Sequence, residues 1–592
     1  MFVYFIKMSN TTNQQMNSAP NGPRNSMQGS NNPKLQSVNY VTILPEGKTS
    51  GYKENQQIDF QIDPVQFPYI DGKQSYLLLN VTPTGKFSNS GAQADVPLCF
   101  PPNMGANSLV NRLTCRVNDG TGRIIEDREA YNLYNGLMNS YTHDSDVFPA
   151  LAKVEGVSGR NSSPNNRSVE DVNNCYFYPM PTVDPSTNVA TGGNKLIPQT
   201  SFVIPIQLGL FSAFGEQHHA IPNMEIGGTH LTYYLEKANR VLQTLCHKFH
   251  VTKAVNGQQS NVAKSVEFTE ALACTFTSTT ELTIDNTVCD CTVSVNGKLW
   301  STDMCAYRVG MPMQIGNGAV ALITQVTITG GLIGITLGQP IGVVGADTIK
   351  PDTISERSYE IMKVELRVLN TMPDMPTMKN IRRAVQRGIN FNSTQLFKVS
   401  TAAQLKNAVV DIPESLTRCL SIMDVPCQQG ALESVDGANS YIFPRPDSVL
   451  NDNDNNYSYQ WQVRQVLIPN LQVDTNKLVD AKSDNVIYFN QQLMAQRPMY
   501  PVRSLGDNKS NEGIIDSATT TRTALDLDLP FFFPLLLAPM NSSFDLIDSA
   551  PQLRIENSGT NLSDITPKLH FVFINHVRKL SGGGDQGVEI SF

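Results

Sequence analysis

The sequence predicts an all-β protein in which one β-rich module occurs twice. The chain has 592 residues, more than one ordinary hydrophobic core needs, so at least two large domains are expected. Only 17% of the residues are charged and 40% are hydrophobic, and the abundance of Gly, Pro, Asn, Ser and Thr is typical of many short strands joined by turns. The third observation is that similar elements follow one another in the same order in the two halves.

The repeat is clearest in a pair of strands. Residues 202–211 and 525–537 are apolar stretches with internal prolines, and each is followed by a loop and a second strand, at 229–236 and 552–557. Helix-like stretches precede the two pairs, at 131–141 and 486–495, and closing strands are predicted at 359–369 and 568–574. The separation in sequence between the two closing strands is much smaller than the separation between the two strand pairs. The first copy therefore contains an insertion just before its last strand.

These offsets predict the domain limits. Residues 1–36 are rich in Asn, Ser, Gln and Pro and form a flexible N-terminal arm. The first module covers 37–375, with a β-rich insertion at about 262–348, and the second module covers 376–592. The junction is placed at the Met- and Pro-rich residues 371–377 and the segment after them.

Within the first module, alternation at 58–62 predicts a half-buried strand, and residues 75–81 predict a continuous buried strand. Residues 109–117 and 123–125 are expected to pair around an Asp-Gly turn. The stretch 131–141 predicts an amphipathic helix, and residues 155–200 a long surface loop. The face of that helix would hold Tyr131, Tyr134, Met138 and Tyr141.

The N-terminus predicts neither a signal peptide nor a membrane span. The five apolar residues 2–6 are too few to cross a bilayer, and no other segment is apolar for long enough, so a soluble protein is expected. We expect Met8 to be the true start, with residues 1–7 an extension. The net charge of −8 is modest for this length and gives no global basic field of the kind that binds nucleic acid.

Candidate metal and cofactor sites fail on spacing. Cys246, His247 and His250, with Cys289 and Cys291, lack the paired spacing of a zinc site. The ten cysteines match no disulfide framework, and free thiols are favoured. No metal site and no cofactor is predicted.

Two further patterns also fail. Residues 452–456 begin like a calcium loop but continue with Tyr457 and Val463 where Gly and Glu are required. An acidic, Asn-rich surface loop is the favoured interpretation, with a weak cation site as the alternative. The glycines at 330–345 do not form a phosphate-binding loop. No catalytic residues can be assigned, and the sequence predicts no enzyme.

One charged cluster is a candidate site. Lys379, Arg382, Arg383 and Arg387 lie within nine positions at the junction of the two modules. The functional interpretation is a contact with an acidic partner or nucleic acid. The alternative is a solvated basic turn.

The chain resembles the double jelly-roll major capsid proteins of the adenovirus-like lineage of DNA viruses, and among them those of Polinton-like viruses and virophages. Residues 204–211, the Ile221-Pro222 step and the strand at 231–235 carry the resemblance. The ending at 574–584 is similar to that of large-DNA-virus capsid proteins but lacks the small apolar residues that follow the glycines there.

This resemblance implies an all-β fold of two consecutive eight-stranded jelly rolls, the first with a β-rich insertion. It implies a homotrimer whose six jelly rolls form a pseudo-hexameric capsomer of an icosahedral shell around double-stranded DNA. The implied partners are neighbouring capsomers, penton and minor or cement capsid proteins, with indirect contact to packaged DNA. The implied location is the virion, after synthesis and assembly inside the host cell.

Other jelly-roll functions remain as alternatives. A carbohydrate-binding protein would need exposed aromatic side chains, and the chain has only two tryptophans, Trp300 and Trp461. A cupin-type enzyme would need convergent histidines, whereas the eight histidines are dispersed. A minor capsid or spike protein is the nearer alternative.

Overall fold

A computed structural model gives the structure of the chain. It describes residues 35–87, 98–100, 104–118, 120, 122–142, 154–156, 181–183, 190–195, 201–213, 221–244, 249–252, 263–266, 272–285, 294–295, 298–299, 312–316, 318–329, 332–341, 343–351, 354–400, 407–412, 416–427, 457–474, 495, 532–537, 544–547, 550–557, 569–582 and 589–591.

The described residues form mainly β-strands. Strands β1 to β10 are Leu35–Ile43, Gln57–Ile62, Ile70–Phe87, Leu98–Cys99, Val110–Val117, Ile124–Glu129, Pro181–Val183, Ala190–Lys195, Ser201–Pro205 and Thr229–Leu235. Strands β11 to β21 are Gln243–Thr244, Phe249–Thr252, Ala263–Val266, Leu272–Phe276, Glu281–Asp285, Ser294–Val295, Lys298–Leu299, Pro312–Ile315, Val320–Thr329, Leu332–Leu337 and Gly345–Pro351. Strands β22 to β31 are Ile354–Pro373, Ile389–Ser400, Asn407–Asp411, Cys419–Cys427, Tyr457–Val463, Val466–Asp474, Phe533–Leu536, Gln552–Asn557, Leu569–Ser581 and Glu589–Ser591.

Helices are few and short in the described part of the chain. Helices α1 to α4 are Tyr131–Thr142, Gly209–Ala213, Ala238–Val241 and Met375–Arg387, and Gly105–Leu109 forms a 3₁₀-helix. Among the residues that the structure describes, no helix is long and apolar enough to cross a membrane.

The first module is a sandwich of two antiparallel sheets. One sheet has the strand order β1-β22-β3-β9, and the other has the order β2-β10-β5-β6. When the eight strands are numbered along the chain, these orders are 1-8-3-6 and 2-7-4-5. This is the strand order of a jelly roll, in which two Greek keys wrap around one core.

The second module repeats this topology. Its sheets have the orders β23-β30-β25-β28 and β24-β29-β26-β27, and β31 pairs with the end of β30. Numbered along the chain, these strands again give 1-8-3-6 and 2-7-4-5. The prediction of two consecutive jelly rolls in an all-β chain is confirmed by this strand order.

Each jelly roll encloses its own apolar core between the two sheets, as alternating strands require. The first core includes Phe60, Leu79, Phe202, Leu231 and Leu366, all 0–1% exposed. The second includes Val410, Trp461, Leu535, Leu553 and Ile574, all fully buried.

A separate closed barrel lies between β10 and β22 in sequence. Its strands follow the order β14-β15-β20-β19-β18-β21, from Leu272 to Pro351. Buried and less buried side chains alternate along β20, and Ile284, Ile323, Ile333 and Ile349 are fully buried. The domain limits drawn from the sequence, including those of the insertion, stay a prediction.

Several local predictions need correction. The apolar stretch 202–211 is not one strand, because β9 ends at Pro205 and α2 starts at Gly209. Proline has no N–H for the ladder, and a Cβ at Gly209 would lie 1.5 Å from the backbone oxygen of Asn392. The chain therefore leaves the sheet here and meets the second jelly roll.

The strand at 75–81 is present, but it is not buried continuously as predicted. Within β3, buried residues alternate with half-buried ones, because one sheet face covers the core and the other faces outward. The alternation at 58–62 and the pairing of β5 with β6 match the sequence-based predictions.

The ends of two predicted segments shift. Strand β1 begins at Leu35, so the last two residues of the predicted arm are in a sheet. The predicted loop at 155–200 contains a strand pair, β7 with β8. The predicted helix at 486–495 lies outside the described residues apart from Ala495, as do the arm up to residue 34 and the strand residues 525–531.

The junction between the modules is a helix. Strand β22 continues to Pro373, and α4 then runs over the Met- and Pro-rich stretch. The Asp374 side chain accepts a hydrogen bond from the Thr377 N–H at 3.0 Å, and Pro376 lies in the first turn, where its missing N–H costs nothing. The alternative interpretation of the basic residues 379–387 as a turn is wrong, because they lie in this helix.

Candidate functional site

The contact between the two jelly rolls is centred on helix α1. Residues 131–138 are all buried, so the helix is not amphipathic in the predicted sense. Its apolar side chains join a cluster with Met423, Val425, Phe571 and Phe573 of the second jelly roll. The Tyr134 ring meets the Phe573 ring edge-on, with 5.3 Å between centroids. The helix is covered on all sides because it lies between two sandwiches.

The second jelly roll contributes the outward face of one sheet to this contact. In β30, Val572 and Ile574 point into the second core, whereas Phe571 and Phe573 point towards α1. Over residues 571–574, strand β30 is therefore apolar on both faces, as buried strands are. The unlike surfaces that meet are a helix of one module and a sheet face of the other.

Buried charges line the same contact on the side of the first jelly roll. Arg128 is 2% exposed, and its guanidinium donates to Glu126 Oε1 at 2.9 Å. The guanidinium also lies 4.5 Å from the centroid of the Tyr134 ring. The other oxygen of Glu126 accepts from the Leu210 N–H at 3.3 Å. Pairing of this kind offsets the cost of burying charges.

A second buried arginine crosses between the modules. Arg578 Nη1 donates to the backbone oxygen of Ile125 at 2.6 Å, and Arg578 Nε donates to His576 Nε2 at 3.2 Å. Burial, and then the charge of Arg578, lower the pKa of His576 to about 4. His576 is therefore neutral near pH 7, with its ring nitrogen Nε2 accepting from the guanidinium.

Hydroxyl and amide groups complete the contact. Thr394 Oγ1 donates to Asn575 Oδ1 at 2.9 Å and lies 3.4 Å from the Tyr134 hydroxyl. Asn575 Nδ2 donates to Ser421 Oγ at 2.8 Å. These bonds satisfy buried polar groups, and the one between Thr394 and Tyr134 crosses between the two modules.

The four basic residues predicted from the sequence lie on α4. Lys379, Arg383 and Arg387 are four residues apart and Arg382 is three residues after Lys379, so all four share one side of the helix. Arg382 Nε donates to Glu225 Oε1 at 2.7 Å, which raises the pKa of Arg382 and ties α4 to the first jelly roll. Lys379, Arg383 and Arg387 are exposed. Whether they contact an acidic partner stays a prediction.

Helix α4 marks one end of the molecule, which we call the helix end. Leu35 pairs with Pro373 just before α4, and the Gly582 N–H donates to Val385 O within it at 3.3 Å. Strand β22 has 20 residues and runs from Ile354, beside the barrel, to Pro373, next to α4. Its length is roughly 60 Å. The barrel and the basic helix thus lie at opposite ends of the first jelly roll.

A buried acid–base pair lies inside the second core. His570 Nδ1 is 2.9 Å from Asp424 Oδ2, and both side chains are fully buried. Within the part of the chain that the structure describes, His570 Nε2 has no hydrogen-bond partner. A carboxylate-oriented imidazole could act as a base, but this one is enclosed in the sandwich with no nucleophile beside it among its described contacts.

Metal-ligating side chains are not assembled in the described residues, which contain no group of three or more His, Cys, Asp or Glu that could hold a metal ion. Cys246, His247, Cys289, Cys291 and residues 452–456 lie outside these residues, as does the side chain of His250. Cys115, Cys274 and Cys419 are free and buried, and burial raises the pKa of the Cys274 thiol to about 11.

The contact residues were missed by sequence reasoning. The stretch Ile124–Glu129 has four charged residues in six and looks exposed. His576 and Arg578 lie in the C-terminal stretch that was noted only for its resemblance. The strand predicted at 123–125 ended before these charges, and a usable signal was that the charged residues directly continue a predicted strand.

Solved structures with a similar arrangement include viral capsid proteins. The Faustovirus major capsid protein matches with a TM-score of 0.47 and 9% identity over 95% of this chain and 93% of that one. A chain of the Sputnik virophage matches with a TM-score of 0.43 and 10% identity over 97% and 92%. The mavirus major capsid protein matches with a TM-score of 0.39 and 9% identity over 97% and 92%.

At these identities the likeness concerns the fold alone. No protein-family model matches the chain, and no curated protein matches it. The fold that the sequence resemblance implied, two jelly rolls in one chain, rests on the strand orders described above.

Proposed function

We propose that this chain is a major capsid protein whose homotrimers form pseudo-hexameric capsomers of an icosahedral shell around a double-stranded DNA genome. One observation supports this most directly. Within the chain, two modules of like topology meet through unlike surfaces, α1 of the first on the outward sheet face of the second. A head-to-tail contact leaves one unmatched surface on each module, so it can be repeated between copies.

Repetition of this contact would close a ring. If each jelly roll is turned by about 60° from the previous one, six of them complete a circle, and three chains supply six. The second jelly roll of one copy would then meet the outward face of the sheet β1-β22-β3-β9 in the next copy. This face is the topological equivalent of the one that α1 covers within the chain.

That open face has the properties of a contact between chains. Tyr40 is 45% exposed on it, and the Tyr40 and Tyr76 rings are 6.2 Å apart. Glu365 is flanked by Lys363 at 2.7 Å and Arg367 at 2.6 Å, which lowers its pKa. A row of fixed charges suits a specific contact between subunits that fold separately, because it discourages wrong pairings.

The proposal extends to location and partners. The protein would be a structural, non-enzymatic component of the virion, made and assembled inside the host cell. Its partners would be neighbouring capsomers, penton proteins and minor or cement proteins. A carbohydrate-binding role finds no support in Trp461, because this side chain is fully buried in the second core and cannot stack on a sugar.

Light scattering after size-exclusion chromatography, followed by electron microscopy, tests the proposal. We expect particles of three chain masses with a hexagonal outline that associate into closed shells. Reversing the charges of Lys363 and Arg367 to Glu is expected to yield monomers, because Glu365 would then be flanked by like charges and the alternating row of the contact would be lost. Reversing Lys53 and Lys237, which are exposed elsewhere, is the matched control and should leave trimers. A stable monomer in the unaltered protein would overturn the proposal.

A further inference from the structure

We propose that the helix end of the molecule is a docking surface for an anionic lipid bilayer. The surface consists of the basic side chains Lys379, Arg383 and Arg387 together with the apolar side chains Met224, Met375 and Ile547. The inference goes beyond the proposed shell formation, because a single chain contains the whole surface and can bind lipid without forming trimers or shells.

The basic part is a stripe of three exposed side chains on α4 that do not take part in the ion pair between Arg382 and Glu225. Arg382 is committed to Glu225 at 2.7 Å, whereas Lys379, Arg383 and Arg387 are exposed and make no ion pair with a described residue. The opposite side of α4 is anchored through Val385, which is 1% exposed. The stripe is therefore held in place and faces away from the two jelly rolls.

The apolar part occurs twice, once in each jelly roll. Met224 is 50% exposed and lies five residues before β10 begins at Thr229. Ile547 is also 50% exposed and lies five residues before β29 begins at Gln552. The two turns are topologically equivalent, so the duplicated fold places an exposed apolar side chain at the same end of each sandwich.

Contacts place the first of these turns beside α4 and the second at the corresponding end of the second jelly roll. Glu225, next to Met224, holds Arg382, and the Met224 N–H donates to Pro68 O at 2.9 Å. In the second jelly roll, the Leu546 N–H donates to Leu416 O at 3.0 Å. Strand β25 begins shortly afterwards at Cys419, which is paired with His576 near the end of β30. Met375, at the start of α4, is 62% exposed.

Nearby carboxylates have local hydrogen-bond partners, and one of them, Glu225, is neutralised by an arginine. Asp63 Oδ1 accepts from the Val65 and Gln66 N–H groups at 2.6 and 3.1 Å. Asp374 caps α4, and Glu225 holds Arg382. Helix α4 itself contains four basic and no acidic residues, so its exposed side carries an excess of positive charge although the whole chain has a net charge of −8.

The combination favours a bilayer over a nucleic acid. Phosphate contacts explain a basic stripe, but a nucleic-acid backbone gains nothing from exposed methionine and isoleucine side chains. At a membrane surface, apolar side chains enter the acyl boundary while Lys and Arg meet anionic headgroups, each worth about 1 kcal/mol. The apolar and the basic side chains then both contribute to the binding of one partner, the bilayer.

Co-sedimentation of the full chain with lipid vesicles tests the inference. We expect binding to phosphatidylcholine vesicles that contain phosphatidylserine, weaker binding to phosphatidylcholine alone, and a decline with added salt. Replacing Lys379, Arg383 and Arg387 together by Gln should weaken binding about 100-fold. Replacing Lys53, Lys237 and Arg554 by Gln removes equal charge from exposed positions elsewhere and should leave binding unchanged.

Further variants separate the possible partners. Met224→Ser with Ile547→Ser should weaken vesicle binding and leave any binding to duplex DNA unaltered. If this variant and the unaltered protein bind vesicles equally, or if only DNA binds, the bilayer assignment is wrong. If the triple variant does not fold, Arg383→Gln alone should still cost about five-fold. Trimer formation without lipid is measured separately, so either proposal can fail without the other.

Discussion

The guanidinium of Arg578 in the second jelly roll donates a hydrogen bond of 2.6 Å to the backbone oxygen of Ile125 in the first. Ile125 is followed by the buried pair of Glu126 and Arg128, and Arg578 also holds His576. One side chain thus joins the polar groups of both modules. Because the apolar contact around α1 is adjacent, the relative orientation of the jelly rolls depends on this arginine.

Replacing Arg578 by Met should lower the free energy of unfolding by roughly 2–3 kcal/mol, because the buried Ile125 oxygen would lose a charged donor. Urea denaturation measures this change. Arg554→Met is the control: this arginine is exposed on β29, and its replacement should have little effect. Equal effects of the two substitutions would contradict a role for Arg578 in the contact.

Acid should weaken the same contact through His576. Its pKa is lowered to about 4 from a usual 6.5, so the unfolded chain takes up a proton in this range that the folded chain does not. The stabilisation is complete above about pH 6.5 and is lost as pH falls through about 4, a total of about 3 kcal/mol.

The variant His576→Gln isolates this contribution. Glutamine still offers Arg578 an acceptor and cannot be protonated. Urea midpoints recorded through the range from about pH 6.5 to about 4 should therefore fall less steeply for the variant than for the unaltered protein. Parallel curves for the two proteins would rule out His576 as the source of acid sensitivity.

Gly209 is predicted to tolerate no side chain. An added Cβ would lie 1.5 Å from the backbone oxygen of Asn392 in the second jelly roll, and a backbone atom in a strand cannot move aside easily. We expect Gly209→Ala to destabilise the protein by about 3 kcal/mol in thermal or urea unfolding. At Gly338 the nearest atom is the Thr324 methyl group at 3.2 Å, so Gly338→Ala should be much milder.

The fold could be predicted because its signals are local and occur twice. Alternation in β2, the Asp-Gly turn before β6 and the repeated strand pairs all follow from short stretches of sequence. The strand at 202–211 was drawn too long because its continuation is decided by Asn392, a residue far away in sequence. The helical form of α4 could have been predicted, since Asp374 followed by Pro376 is a helix-start pattern.

The functional surfaces were predictable only in part. Lys379, Arg382, Arg383 and Arg387 stood out because charge clusters are visible in sequence, but the Glu225 carboxylate that engages Arg382 is 157 residues away. Burial of Arg128 and Arg578 depends on how two modules dock. Pairing between modules leaves no periodic pattern in the sequence, so no local rule identifies it.

The N-terminal arm is predicted to act in assembly and not in folding. Composition suggested an arm of residues 1–36, but β1 starts at Leu35 and pairs with β22 from there, so the deletion should end at residue 34. Removing 1–34 leaves every described strand intact, and we expect unfolding midpoints and trimer mass to be unchanged while shell formation declines. A deletion of 1–43 is the contrasting variant: it removes all of β1, exposes the edge of β22 and should destabilise the first jelly roll. Electron microscopy of both proteins measures shell yield, and shells formed by the shorter deletion as readily as by the intact chain would leave the arm without an assembly role.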